Sequence, residues 1–142
     1  MKHEILTSNG IPVHLVRYFN YQSKNYLIFT RESEADEQGY VTINISEVVN
    51  EGGLSAIVVD DQTSKDIVKI IANANKNNIP LDIVDLDYND IDGINILGDK
   101  AYRVLPNYVE ILSKNRTVFE YLLKAYSAIR FATRRRDSLL LI

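Results

Sequence analysis

The sequence predicts an α+β fold: a mostly antiparallel β-sheet packed by two α-helices. Three observations carry that expectation. The first half holds several short apolar or alternating runs separated by turn residues. Residues 63–78 repeat apolar side chains at helical spacing, and residues 116–136 do so again behind a capping pattern.

The first strand pair is read from HEILT and IPVHLVRYFNY, parted by Asn9-Gly10, the dipeptide that best tolerates the positive φ of a type I′ turn. A second turn at Gln22, Ser23, Lys24 and Asn25 leads into YLIFTR, and an acidic loop ending at Gly39 leads into YVTINISEVV. In that last run Val41, Ile43 and Ile45 alternate with Thr42, Asn44 and Ser46, the period of a strand with one buried and one wet face. LSAIVV after Gly52-Gly53 adds an extended segment. The helix over 63–78 is expected to be capped by Thr63 or Ser64, to show Ile67, Ile70, Ile71 and Ala74 to the sheet, and to stop at Asn-rich residues before Pro80.

The second β segment, 81–112, opens with LDIVDL as a strand and an acidic loop. KAYRVLPNYVEIL follows as one broken strand or two short ones, with Pro106 marking an edge or bend. Thr117 and Glu120 have capping-box spacing, so the last helix is placed at 116–136, with Val118, Leu122, Ala125, Ile129 and Ala132 in one apolar row. The whole chain, 1–142, is read as a single domain, its β-rich part spanning 1–62.

Composition narrows the function classes. The 142 residues are 46% hydrophobic and 25% charged, with a net charge of −3, which suits a chain with one packed core. There is no cysteine, so disulfides, thiolate metal sites and cysteine nucleophiles are excluded, and a reducing, cytoplasmic setting is expected. The N-terminal residues show no sustained apolar run behind a basic start, as a secretory signal would, and no run reaches the ~20 apolar residues of a membrane span.

No catalytic motif is found: no phosphate-binding glycine loop, no nucleophile elbow and no His-Glu-x-x-His pattern. The two histidines, His3 and His14, stand on different expected strands. Asp82, Asp85, Asp87, Asp90 and Asp92 crowd one window, the kind of oxygen-rich loop a hard cation requires. The spacing departs from an EF-hand, with Asp90 where the turn glycine belongs and Ile96 where the bidentate glutamate belongs. The concentrated basic patch is Arg134, Arg135 and Arg136, which complements a helix C-terminus and could also contact phosphates. Tyr18, Tyr21, Tyr26 and Tyr40 could stack on single-stranded bases or simply favour strands.

From about residue 11 to 72 the chain resembles a family of small, uncharacterised Gram-positive bacterial proteins known as a domain of unknown function. RYFNYQSKNYLIFT resembles its aromatic strand, lysine-containing turn and second aromatic strand. GYVTINISEVV and NEGGLSAIVVDDQTSKDIVKII resemble the polar-alternating strand and the extended segment entering an acidic-capped helix. The resemblance implies no activity, cofactor or functional residue, and this chain departs from the family by its segment from 80 to 142.

The functional expectation is therefore a non-enzymatic binding or regulatory module with no cofactor. It would act through protein partners or a homo-oligomer, using Phe119, Leu123 and Tyr126 as apolar anchors and Arg130, Arg134, Arg135 and Arg136 as a charged edge. The alternatives are a nucleic-acid accessory protein using those arginines and an enzyme or metal-dependent module using the 82–92 loop.

Overall fold

A computed structural model describes residues 4–31 and 34–113. Within them the chain forms strands β1 (Glu4–Leu6), β2 (Pro12–Tyr21), β3 (Lys24–Thr30), β4 (Val41–Asn50) and β5 (Leu54–Ile57), then helix α1 (Asp61–Asn77). Strand β6 (Ile83–Asp85), a 3-10 turn at Tyr88–Ile91, strands β7 (Asn95–Ile96) and β8 (Lys100–Val104), and helix α2 (Pro106–Leu112) follow. The predicted helix at 116–136 lies outside the described residues.

Strands β1 to β5 run as an antiparallel meander in the order β1-β2-β3-β4-β5, as expected from their turns. Beyond β5 the arrangement changes, because β7 pairs with β5 in parallel, Ser55 opposite Asn95 and Ala56 opposite Ile96. On its other side the same stretch meets β1 through a parallel bridge between Thr7 and Ile94. Ser8 N donates to Ile94 O at 2.8 Å and Gly93 N to Leu6 O at 2.8 Å. The sheet therefore curls until its first strand meets its last, which removes two of the edges that an open sheet leaves unpaired. The expectation of a mostly antiparallel α+β sheet is corrected: the domain is mostly β, a curled mixed sheet of eight strands with two short helices among the described residues. A parallel pair needs a long crossover, and the chain supplies it by passing through α1 and β6 between β5 and β7.

The long strands β2 and β4 each serve two neighbours along one edge. β2 pairs with β1 at His14 and with β6 at Phe19 to Tyr21, while β4 pairs with β8 over Val41 to Ile45 and with β5 beyond Glu47. A bulge between Leu15 and Arg17 sharpens the bend of β2. Register puts Ile5, Val13, Leu15, Leu27, Phe29, Val48 and Ala56 on the enclosed face, and all are buried. Phe19, Ile28, Ile43 and Ile45 lie on the opposite face, under the helices.

The alternation in β4 is present, but the polar side is not wet. Asn44 is 5% exposed and Ser46 fully buried. Asn44 Nδ2 donates to Asp99 Oδ1 at 2.8 Å and Ser46 Oγ to Gly98 O at 2.7 Å. The polar residues face the inside of the curl, where the turn before β8 satisfies them, as buried polar groups require.

Both predicted hairpins form, with the turn chemistry exchanged. Asn9 does not adopt positive φ; Gly10 does, at 79°, and Gly10 N donates to Thr7 O at 2.9 Å. Gln22 and Ser23, at φ 51° and 67°, instead supply both left-handed residues of the two-residue β2–β3 turn. Neither side chain favours that conformation. Replacing Gln22-Ser23 with Asn-Gly is expected to stabilise the protein by about 1 kcal/mol, read as a higher urea midpoint. An unchanged or lower midpoint would show that the turn carries no such cost.

Helix α1 starts two residues earlier than predicted. Asp60 is its N-cap, Oδ1 accepting from Thr63 N at 2.9 Å; the Thr63 hydroxyl first, and then this N–H, hold the Asp60 carboxyl below its ordinary pKa. Ser64 is inside the helix and buried; its Oγ donates to Asp60 O at 2.9 Å and lies 2.5 Å from Tyr102 Oη of β8. The buried stripe is Ser64, Ile67, Val68, Ile71, Ala72 and Ala74; Ile70, expected inside, is 40% exposed. Asn78, at φ 54°, ends the helix.

The region read as a broken strand divides at Leu105. Lys100–Val104 is β8, but Pro106 opens α2 at its first position, where a missing N–H costs nothing because that group has no helical partner.

Candidate interaction surface

The residues expected to form the contact surface, Phe119, Leu123, Tyr126, Arg130, Arg134, Arg135 and Arg136, lie outside the described residues. What the structure does define is the root from which that segment leaves. Helix α2 packs against α1 and β2, burying Pro106, Val109 and Leu112, and its last carbonyls are held from two sides. Asn75 of α1 donates through Nδ2 to Ile111 O at 2.9 Å and to Leu112 O at 3.4 Å. Arg17 of β2 donates through Nη1 to Leu112 O at 3.4 Å. These bonds occupy the carbonyls a helix end otherwise leaves unsatisfied.

Arg17 is the centre of this junction. Its side chain is 4% exposed, and its guanidinium grips Asp85 of β6 with both oxygens, Nε to Oδ1 at 2.8 Å and Nη2 to Oδ2 at 3.3 Å. The planar fork of arginine suits this bidentate contact. The guanidinium carbon also lies 5.9 Å from the centre of the Phe19 ring. One side chain thereby ties together β2, β6 and the end of α2. Sequence reasoning passed over Arg17 because a single arginine inside an apolar strand run gives no local sign of what it will face.

The acidic window does not converge. Asp85 serves Arg17, Asp87 caps the 3-10 turn by accepting from Asn89 N at 2.9 Å, and Asp92 Oδ1 accepts from Leu6 N at 3.0 Å. Among the described residues no group of three His, Asp or Glu side chains is placed to hold a metal ion. His14 is largely buried on β2, its Nδ1 3.9 Å from Glu4 Oε1 on β1; His3 lies outside the described residues. Tyr18 and Tyr26, offered above as stacking surfaces, belong to the core. Burial leads the causes that raise both phenols above their ordinary pKa, with Asp90 adding to it for Tyr18 and Glu47 for Tyr26.

Two other polar clusters pin loops. Asp99 accepts from Arg31 at 2.9 Å as well as from Asn44. Burial alone would raise the Asp36 carboxyl, but the N–H groups of Tyr40 and Gln38 and the Arg103 guanidinium at 2.8 Å outweigh it and lower its pKa. Arg103 also lies 4.7 Å from the Tyr40 ring centre. At one end of the curl, Thr7, Ser8, Asn9, Ile11, Arg31 and Asn95 border a shallow cleft of about 140 Å³.

These features define a curled, mixed β-domain whose second helix is held at its last carbonyls by α1 and β2. No family model, curated protein or solved structure matches the chain. No described helix is long and apolar enough to cross a membrane.

Proposed function

We propose that the protein is a non-catalytic binding module that works through protein–protein contacts, and that its first partner is another copy of itself, engaged through residues 116–136. The observation that supports this reading most is the fixed root. With Ile111 O and Leu112 O held by Asn75 and Arg17, residue 116 follows within a few positions of a hydrogen-bonded anchor. A fixed anchor next to a binding segment lowers the entropic cost of forming an interface. The residues of that segment suit the task, since Phe119, Leu123 and Tyr126 give an apolar face and Arg130 to Arg136 a charged edge. A cytoplasmic setting belongs to the same proposal and rests on the cysteine-free composition.

Size-exclusion chromatography with light scattering on the full chain tests it. The wild type is expected to be an oligomer that persists at high salt, and Leu123→Asp with Tyr126→Asp to yield a folded monomer whose thermal midpoint no longer depends on protein concentration. A wild type that is monomeric at tens of micromolar would refute self-association. If Arg134→Glu, Arg135→Glu and Arg136→Glu instead abolish a nucleic-acid complex that weakens steeply with salt, the arginines serve phosphates and the alternative reading replaces this one.

A further inference from the structure

The β1–β2 turn carries a chemical liability in an unusual setting. Asn9 is exposed and precedes Gly10, and Gly10 has open space where a side chain would stand. A glycine on the C-terminal side leaves its nitrogen free to reach the asparagine side chain, because no Cβ blocks the approach. Both reacting groups are engaged by one residue. Thr7 O accepts from Gly10 N at 2.9 Å, and the Thr7 hydroxyl has both Asn9 Oδ1 and, at 2.7 Å, Ile11 O within reach of its one proton. Thr7 is itself fixed, since its N donates to Ile11 O at 3.0 Å, its Oγ1 accepts from Ile11 N at 3.1 Å, and its backbone bridges to Ile94 across the closing seam.

We infer that Asn9-Gly10 is a latent site of spontaneous deamidation that the folded turn holds off through Thr7. In the reaction Gly10 N loses its proton and attacks Asn9 Cγ; the new N–Cγ bond replaces the Cγ–Nδ2 bond, and ammonia leaves with that proton. Water then adds across the cyclic imide. Opening at Cγ gives aspartate, while opening at the backbone carbonyl gives isoaspartate and reroutes the main chain through the side chain. The only co-reactant is water, and nothing is oxidised or reduced. While Thr7 O holds the Gly10 N–H and the Thr7 hydroxyl stands at the amide oxygen, the nitrogen is not released for attack, so the reaction proceeds through opened turns.

The product matters for the surface. Asn9 and Arg31 border the same cleft, so deamidation places a new carboxylate on the rim that carries Arg31. The isoaspartate form also lengthens the backbone of the turn that aligns Thr7 with Ile94.

The test is peptide-mapping mass spectrometry of the full chain after timed incubation in mildly alkaline buffer, native and in concentrated guanidinium. The amide at Asn9 is expected to be lost about tenfold or more slowly in the native protein than in the unfolded chain. Thr7→Val, which keeps the branched shape and removes the hydroxyl, should speed the native reaction by about three- to tenfold, the effect of one net hydrogen bond. Equal rates in the native and unfolded chain, or an amide that survives in the unfolded chain, would overturn the inference. A native Thr7→Val protein that deamidates no faster than wild type would overturn the role given to the hydroxyl.

Discussion

Replacing Arg17 with alanine is expected to cost about 2–4 kcal/mol of stability, through the volume lost from the interior and the carbonyl left with one partner fewer. The two halves of the Arg17–Asp85 pair are not equivalent. Arg17 is 4% exposed, whereas the Asp85 side chain is 57% exposed. Water can solvate Asp85 when Arg17 is removed, whereas Asp85→Asn leaves the buried guanidinium without its counter-charge, so that variant should also cost about 2–4 kcal/mol. Arg17→Met separates packing from charge, because it keeps most of the buried stem, leaves Asp85 to water and leaves Leu112 O its bond from Asn75. That variant should lie within about 1 kcal/mol of wild type. Denaturant midpoints read all three, and hydrogen exchange at Tyr108 and Ser113, whose N–H groups bond to Leu105 O and Val109 O, reads the order of α2. If Arg17→Ala left both unchanged, the guanidinium would not be what holds the root of the C-terminal segment.

The second large effect is expected at the closing seam. Ile94 is fully buried, and its backbone meets β1 through the Thr7 bridge and the Ser8 N–H. Ile94→Ala should cost about 2–4 kcal/mol, the range for emptying a buried aliphatic site. The loss should also be local in its dynamics. Amide exchange should accelerate first at Leu6, Ser8, Gly93 and Leu97, whose N–H groups bond to Asp92 Oδ1, Ile94 O, Leu6 O and Ala56 O. The paired amides of β2 and β3 should keep their protection until global unfolding. A uniform loss of protection across the whole sheet would show that the seam is not a separate, weaker joint.

The candidate surface was legible in the sequence only as a pattern. The apolar row and arginine cluster of 116–136 stand out because helical spacing and charge runs are local properties. Its root was not legible. Asn75 sits in a run of helix-ending asparagines and Arg17 in a strand, and only the packing of α2 against α1 and β2 brings both to the same two carbonyls. The acidic window misled in the opposite sense. Five aspartates close in sequence suggest one site, yet Asp85, Asp87 and Asp92 serve three unconnected structural tasks, because a short strand and a tight turn aim successive side chains in different directions.

Local patterns marked the strands of the meander, the two hairpin positions and the helix after Asp60, since alternation and turn composition act over a few positions, but not the cap residue or the turn conformations. Tertiary structure decided how the sheet ends. β7 is two residues long, and no period can be read from two residues. Its parallel place between β5 and β1 comes from the long crossover through α1 and β6, together with the gain from burying Ile91 and Ile94 inside the curl. The same closure reversed the meaning of the β4 pattern. Thr42, Asn44 and Ser46 look like a wet face in sequence, but once the sheet curls Asn44 and Ser46 are enclosed, and Asp99 and Gly98 supply the hydrogen bonds water would have made. Pro106 shows the remaining limit: its ring fits a strand edge or the first turn of a helix equally well, and what selects the helix is the burial of Val109 and Leu112 against the rest of the fold.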